Sequence, residues 1–302
     1  DAPARPIFAP FTLRGVTLAN RIVVSPVLTY AADAEGRTTD FHTVHYGGRA
    51  LGGAGLVMTE MLAVSPEGRA TPGCPGLWDD AQIEGWRAIN DFAHRHSAAR
   101  TCAQIGHAGA RGACRTPEAG YDAPLDKPWP ILSASARPWR SGGTVPASMT
   151  ATDMQRVTAD FVTAAQRADA AGFDMIELQA AHGNLLSSFI TPVMNGRDDE
   201  FGGSLDNRLR FPLQVVAAVR SVWPATKPLA VRISASDWMG EAGVTPAEAV
   251  EIGRRLKARG VDLIDVSAGE TAPEARPVFG RMFQTPFADQ IRNEAHVATM
   301  AV

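Results

Sequence analysis

Cysteine is scarce. The chain has three among 302 residues, Cys74, Cys102 and Cys114, and no two stand in C-x-x-C spacing. That argues against a zinc site, an iron–sulfur cluster or a disulfide framework, and an odd, scattered set suits a reducing cytoplasm. Long apolar runs are missing too: none reaches the roughly 18 residues a membrane-spanning helix needs. There is no basic block and the net charge is −3, which argues against nucleic acid or an anionic membrane as the main partner. The opening DAPARPIFAPF has neither a basic n-region nor an apolar h-region, so it does not read as a secretory signal. It also lacks an initiator Met, which reads as a processed chain or a piece of a longer one. No G-x-G-x-x-G follows the first apolar strand, which counts against a nicotinamide-binding doubly wound sheet. What remains is 45% hydrophobic and 20% charged, ordinary for a globular protein and long enough for a deep core.

Hydrophobic periodicity alternates along the chain. Short strand-like runs are predicted at 21–26, 55–60, 100–105, 173–179, 229–236, 263–269 and 296–302. Helical spacing is predicted at 41–51, 81–96, 153–170, 205–222, 245–259 and 287–294. Thr150 or Thr152 caps the third of these helices, and Thr245-Pro246 with Gly260 brackets the fifth. Residues 106–150, rich in Gly and Pro, make a long excursion of the kind that forms a lid or substrate wall. The alternation implies a parallel sheet in an α/β fold, and a (β/α)8 TIM barrel is the better architecture. Seven strands are visible where a closed barrel has eight, so the expectation is one barrel domain over residues 1–302, truncated after strand seven, with 106–150 lying over its mouth.

Ligands of such folds bind at the carboxyl ends of the strands. Period-two reading places Ser25, Gln104, Gln179, Arg232 and Ser267 inward there. The stretch FDMIELQAAHGN brings Gln179, His182 and Asn184 together at one strand end. Arg232 inside a barrel needs compensation. Either it pairs with Asp265, or it serves a planar, electron-rich ligand such as a reduced flavin, whose N1–O2 edge carries negative charge. Glu60 and Glu177 show no sequence-evident partner and are candidates to pair with arginines inside the barrel. His107 follows a strand end and either faces the site or serves loop structure. His42 and His45 have a possible metal spacing but no third ligand, so no metal is expected.

Seven motifs carry a family resemblance: PIFAPFTLRGVTLANRIVVSP, FHTVHYGGRAL, QIGHAGAR, AAHG, NGRDDEFGGSLDNR, VRISASD and DLIDVS. Together they span nearly the whole chain, and it resembles the old yellow enzyme family of FMN-dependent oxidoreductases. SPEGRATPGCPGLW, RPVFGRMFQTPF and IRNEAHVATMAV narrow the resemblance to the reductase-like portion of bifunctional 2-aminobenzoyl-CoA and salicylyl-CoA monooxygenases. The resemblance implies FMN over the mouth of the barrel, with NADPH or NADH as reductant. It implies that Ser25, Pro26, Val27, Leu28 and Met61 line the flavin, that Gln104 bonds its pyrimidine edge, that Arg232 sits at N1–O2 and that Ser267 belongs to the same set. It implies Gln179 and His182 as the pair donating hydrogen bonds to a substrate carbonyl or nitro oxygen, with Tyr30 on the substrate side. A dimer or tetramer is implied as well.

Three positions depart from the family pattern. Gln179 replaces a histidine, and its amide donates but cannot become charged. Asn184 stands where a proton-donor tyrosine is usual, and an amide is no general acid near pH 7; Tyr30 is then a candidate donor. Leu28 replaces a cysteine. The family holds the FMN phosphate with loops after strands seven and eight, beyond Val302. The leading expectation is hydride transfer to the activated C=C of an enone-like substrate or of an aromatic or dienoyl acyl-CoA thioester; Arg111, Arg115, Arg137 and Arg140 of the excursion either meet a CoA or nicotinamide phosphate or belong to a solvated basic loop. The alternatives are a flavin-dependent monooxygenase or dearomatising oxidoreductase, and a degenerate, non-catalytic barrel.

Overall fold

In a computed structural model, residues 5–120 and 122–302 are described; the first four residues of the opening stretch, and Tyr121 within the 106–150 excursion, lie outside them. In chain order the elements are a hairpin of β1 (Phe11–Leu13) and β2 (Val16–Leu18), then β3 (Val23–Val24), α1 (Asp40–Leu51), β4 (Leu56–Ala63), α2 (Ile83–His96) and β5 (Arg100–Gly106). The excursion carries α3 (Pro117–Gly120) and a small pair, β6 (Leu132–Ser133) and β7 (Ala147–Ser148). The second half runs α4 (Ala151–Ala170), β8 (Met175–Ala180), α5 (Leu185–Ile190), α6 (Leu205–Val222), β9 (Leu229–Ser234), α7 (Pro246–Ala258), β10 (Leu263–Ser267), α8 (Thr285–Ala295) and β11 (Ala298–Ala301).

Seven strands pair in parallel in the order β11-β10-β9-β8-β5-β4-β3. Chain order equals spatial order, the arrangement of a β/α barrel and not of a doubly wound sheet, whose strand order reverses. This is an α/β barrel missing one stave, with β11 and β3 at its two edges. Helix starts follow side-chain caps: Thr150 accepts from Asp153 N and Thr245 from Glu248 N. The outward strand residues Ile105, Leu178, Val231, Ile233 and Val266 join Trp86, Phe161, Phe173 and Phe211 in the main core between sheet and helices. A second apolar cluster, Leu18, Leu56, Met58, Cys102, Met175, Ala230 and Leu263, lies inside the barrel near the strands' amino ends with the β1–β2 hairpin against it, and Leu18, Leu56, Met175 and Leu263 line a cavity of about 520 Å³ there.

Two elements differ from the sequence reading in a way that matters. Helix α5, fully buried, was hidden inside the segment following AAHG because its apolar residues show no polar face. The first strand shrinks to Val23–Val24, since residues 25–30 leave the sheet to run across the barrel mouth.

Candidate active site

Residues 26–30 are held by Glu60. Its carboxylate accepts from Thr29 N at 2.9 Å, Thr29 Oγ1 at 2.6 Å and Tyr46 Oη at 3.1 Å, with His42 Nε2 3.5 Å away. Strict alternation after Met58 would aim Glu60 into the barrel. Instead the β4–β5 register shifts between Met58 and Met61, a bulge that turns Met61 inward and Glu60 towards α1. Glu60 therefore pairs with no arginine, contrary to the sequence expectation. Burial pushes its carboxyl up and the Thr29 and Tyr46 bonds pull it back.

The strands then present a polar floor in register: Met61 beside Gln104, Gln104 beside Glu177, Gln179 beside Arg232, and Arg232 beside Asp265. Gln104 Nε2 donates to Glu177 Oε1 at 2.8 Å, so Glu177 too meets an amide rather than an arginine. Arg232 Nε lies 3.3 Å from Asp265 Oδ2. This is an ion pair by distance, but the N–H is not aimed along it, and Arg232 Nε and both Asp265 oxygens have no hydrogen-bond partner. The sequence alternative of an Arg232–Asp265 pair is thus formed, and it leaves the buried Arg232 Nε without a hydrogen-bond acceptor.

At the end of β8 the chain turns through His182, whose φ of +61° is left-handed; Tyr30 (φ +58°) and Glu270 (φ +62°) share that conformation around the same cavity. Non-glycine residues held there concentrate at functional sites. Gly109 (φ +62°) lets the loop after β5 pass under α5, where a Cβ would meet Leu185 N at 2.7 Å. Gln179 Oε1 accepts from Ala181 N at 3.1 Å, which fixes the amide so that its NH2 end lies 3.4 Å from His182 Nδ1. His182 Nε2 is 2.7 Å from Ser267 Oγ, and His182 N donates to Ser234 Oγ. Burial, then Arg232 and Arg111, push the His182 imidazole well below its usual value, so it is neutral. Asn184 donates to Ala181 O at 3.1 Å and sits at the start of α5.

A cavity of about 250 Å³ opens over this floor. Of the residues the sequence singled out, Pro26, Val27, Leu28, Tyr30, Met61, Gln104, Gln179, His182, Asn184 and Arg232 all line it. Ser25 and Ser267 do not; Ser267 stands behind His182, and the buried Ser25 hydroxyl has no partner. His107 also stays outside. It is buried, its Nδ1 accepts from Gly109 N at 3.0 Å, and burial lowers its pKa to about 4. Among the described residues no group of three or more metal-ligating side chains exists.

Arg111, read from the sequence as meeting a CoA or nicotinamide phosphate or as part of a solvated basic loop, lines the same cavity with its charge already engaged. It donates to the His182 carbonyl at 3.0 Å, reaches Glu270 at 3.4 Å and Asp122 at 3.6 Å, and stacks on Trp139 at 4.2 Å. It pins the excursion to the loops after β8 and β10. Partners this distant in sequence leave no local signal. Asp237 ties the same rim, accepting from Thr191 Oγ1 at 2.5 Å, Thr271 Oγ1 at 2.6 Å and Val244 N at 2.7 Å.

The cavity suits a flat ring. It is slightly under the ~300 Å³ lower end for sites of drug-sized ligands. Val27, an apolar side chain, stands 69% exposed at its polar mouth. Below it lie a buried amide and a guanidinium with an unpartnered N–H. A flavin ring would cover the first and bond the second.

Fold and site together define a barrel oxidoreductase of the flavin-dependent class. The chain belongs to the NADH:flavin oxidoreductase / NADH oxidase family, whose model matches residues 6–302, and it is an old yellow enzyme-like NAD(P)H:flavin oxidoreductase with FMN as cofactor. It is 40% identical over 297 residues to an NADPH dehydrogenase of Geobacillus sp. (strain WCH70), covering 98% of this chain and 82% of that one. Morphinone reductase superposes with a TM-score of 0.80 at 25% identity, over 100% of this chain and 80% of that one. A 2-naphthoyl-CoA reductase shares the fold, with a TM-score of 0.85 at 22% identity over 98% and 46% of the two chains.

Proposed function

We propose that this chain reduces the electron-poor C=C bond of a small planar substrate, conjugated to a carbonyl, that lies over the flavin. FMN, charged by NADPH or NADH, supplies the hydride. The observation that carries the reading is the Gln179–His182 pair. Its two nitrogens are 3.4 Å apart on the cavity wall, spaced to bracket one oxygen. With Ser267 Oγ–H donating to Nε2, the imidazole keeps its proton on Nδ1, beside the Gln179 NH2. Two N–H groups then converge on the carbonyl oxygen and stabilise the charge that grows there as the β-carbon accepts hydride. Both donors are neutral, so the polarisation is weaker than an imidazolium would give. Asn184 holds the turn through Ala181 and cannot supply the proton; Tyr30, on the same cavity, is assigned that role.

Arg111 and Arg115 already meet Asp122, Glu270 and Asp126, so they favour a compact substrate over a CoA thioester. Three unpaired cysteines suit a cytoplasmic setting, and Phe41, Val44 and Leu51, exposed along α1, suit self-association as a dimer or tetramer. The test is anaerobic turnover with NADPH on an α,β-unsaturated ketone, an unsaturated acyl-CoA and an aromatic acyl-CoA, repeated under labelled oxygen. Saturated, unlabelled ketone supports the reading. Label in the product would replace it with oxygenation, and turnover confined to thioesters would overturn the compact substrate.

A further inference from the structure

The floor of the pocket carries more negative groups than its one cation can balance. Glu177, Asp265 and Arg232 come from three adjacent strands, and all are buried. Arg232 lies against Asp265 at 3.3 Å. Among the described residues Glu177 is hydrogen-bonded only by the neutral Gln104, through Oε1, and its Oε2 is buried without a partner. The other titratable group facing this pair is Cys102 on β5, which burial and the two carboxyls hold as a thiol. His182, above Arg232, is neutral. Three ionised groups would leave a net negative charge in a floor closed to water, which costs several kcal/mol. Of two carboxyls competing for one guanidinium, one keeps its proton.

We propose that Glu177 keeps its proton at neutral pH beneath the flavin pocket, and that Glu177 and Asp265 together set how much of the Arg232 charge reaches the bound ring. The geometry assigns the proton to Glu177, because Asp265 has the arginine and Glu177 does not. Burial and the neighbouring Asp265 push the Glu177 carboxyl well up, while Asp265, pulled back by Arg232, is raised only to about 6. Two consequences follow. Glu177 takes the NH2 end of Gln104, leaving that amide's carbonyl end for the pocket. Asp265, while ionised, neutralises Arg232. When a solvent proton binds an Asp265 oxygen, the O–H bond removes that negative charge and the guanidinium is free to attract electrons onto the ring; the proton returns to solvent as pH rises. Only this second part depends on a flavin occupying the cavity.

The test uses the full chain loaded with FMN. Infrared spectra at pH 7 should show the carbonyl stretch of a protonated carboxyl, shifted in heavy water and lost in Glu177→Gln. In Asp265→Asn the same band should also vanish, because Glu177 then ionises against Arg232; this decides the matter even where Glu177→Gln fails to fold. Glu60 and Asp237 are likewise raised by burial, so a band that survives both substitutions belongs to them and overturns the proposal, as does a wild type with no band. Midpoint potentials against pH should bend: they should climb more steeply with falling pH just above pH 6, where reduction of the ring draws a proton onto Asp265, and return to the shallower slope below it. The double variant E177Q/D265N should give a straight line at higher potential, and a bend persisting there overturns the charge-setting role. A chain that binds no flavin removes the potential measurement but leaves the infrared band, so failure of the cofactor reading and failure of this proposal are distinct.

Discussion

The two halves of the barrel interior are built from the same strands and do opposite things. Near the amino ends β4, β5, β8, β9 and β10 point Met58, Cys102, Met175, Ala230 and Leu263 inward. One or two inward positions further along, the same strands point Met61, Gln104, Glu177, Gln179, Arg232 and Asp265. The lower set is apolar, and Leu56, Met175 and Leu263 line a cavity of about 520 Å³ together with the β1–β2 hairpin and β11. The upper set has four unpartnered polar atoms, on Glu177, Arg232 and Asp265. Period two thus lets one strand hold a core residue and a site residue on the same face, with the polar residues gathered at the strands' carboxyl ends, where ligands of such barrels bind.

Substitutions can break this division. The largest effect is expected for Arg232→Met: FMN is lost and stability falls by about 3–5 kcal/mol, because the Asp265 charge is left buried and alone; flavin absorbance after gel filtration and urea unfolding read the two parts. In the lower set, Met175→Ala should cost about 3 kcal/mol, a typical truncation with a cavity, while the folded protein keeps its flavin and its kcat. His182→Ala should keep flavin and stability but lower kcat on the order of 100-fold, the effect of losing one preorganised donor. Gln179→Ala should lower it about tenfold, one neutral hydrogen bond; losses that simply add in the double variant would mean that the donors do not act as a pair.

His107 sharpens the comparison at a smaller scale. Like His182 it follows a strand end and is buried neutral, but it faces loop structure instead of the cavity. Its pKa falls from 6.5 to about 4 on folding, so the unfolded chain binds the proton first. Its contribution is intact above pH 6.5 and is lost as pH falls from 6.5 towards 4, at most on the order of 3 kcal/mol. His107→Gln should flatten stability across that window without changing kcat at pH 7.

The strand–helix alternation was legible because each half-turn of periodicity is local. The cavity lining was largely legible for the same reason: once a strand's inward face is known, its carboxyl end follows, and Gln104, Gln179 and Arg232 fall in place. The misplacements have physical causes. Glu60 was read as a candidate to pair with an arginine inside the barrel, and the bulge between Met58 and Met61 that turns it towards α1 leaves no mark in the sequence. Arg111 was read by its charge, whereas its partners Glu270 and Asp122 arrive from the loop after β10 and from its own excursion. Ser267 was read as a flavin contact because it faces inward; the left-handed turn at His182 puts an imidazole in front of it.

The central claim is that the upper set, and not the lower, holds the flavin ring. Fluorescence titration of FMN into the flavin-free full chain, run in parallel on Arg232→Met and Met175→Ala, tests it directly. Saturable quenching and bleaching by NADPH are expected in the wild type and in Met175→Ala, and neither in Arg232→Met. Undiminished binding in Arg232→Met, or binding abolished only by Met175→Ala, would contradict it.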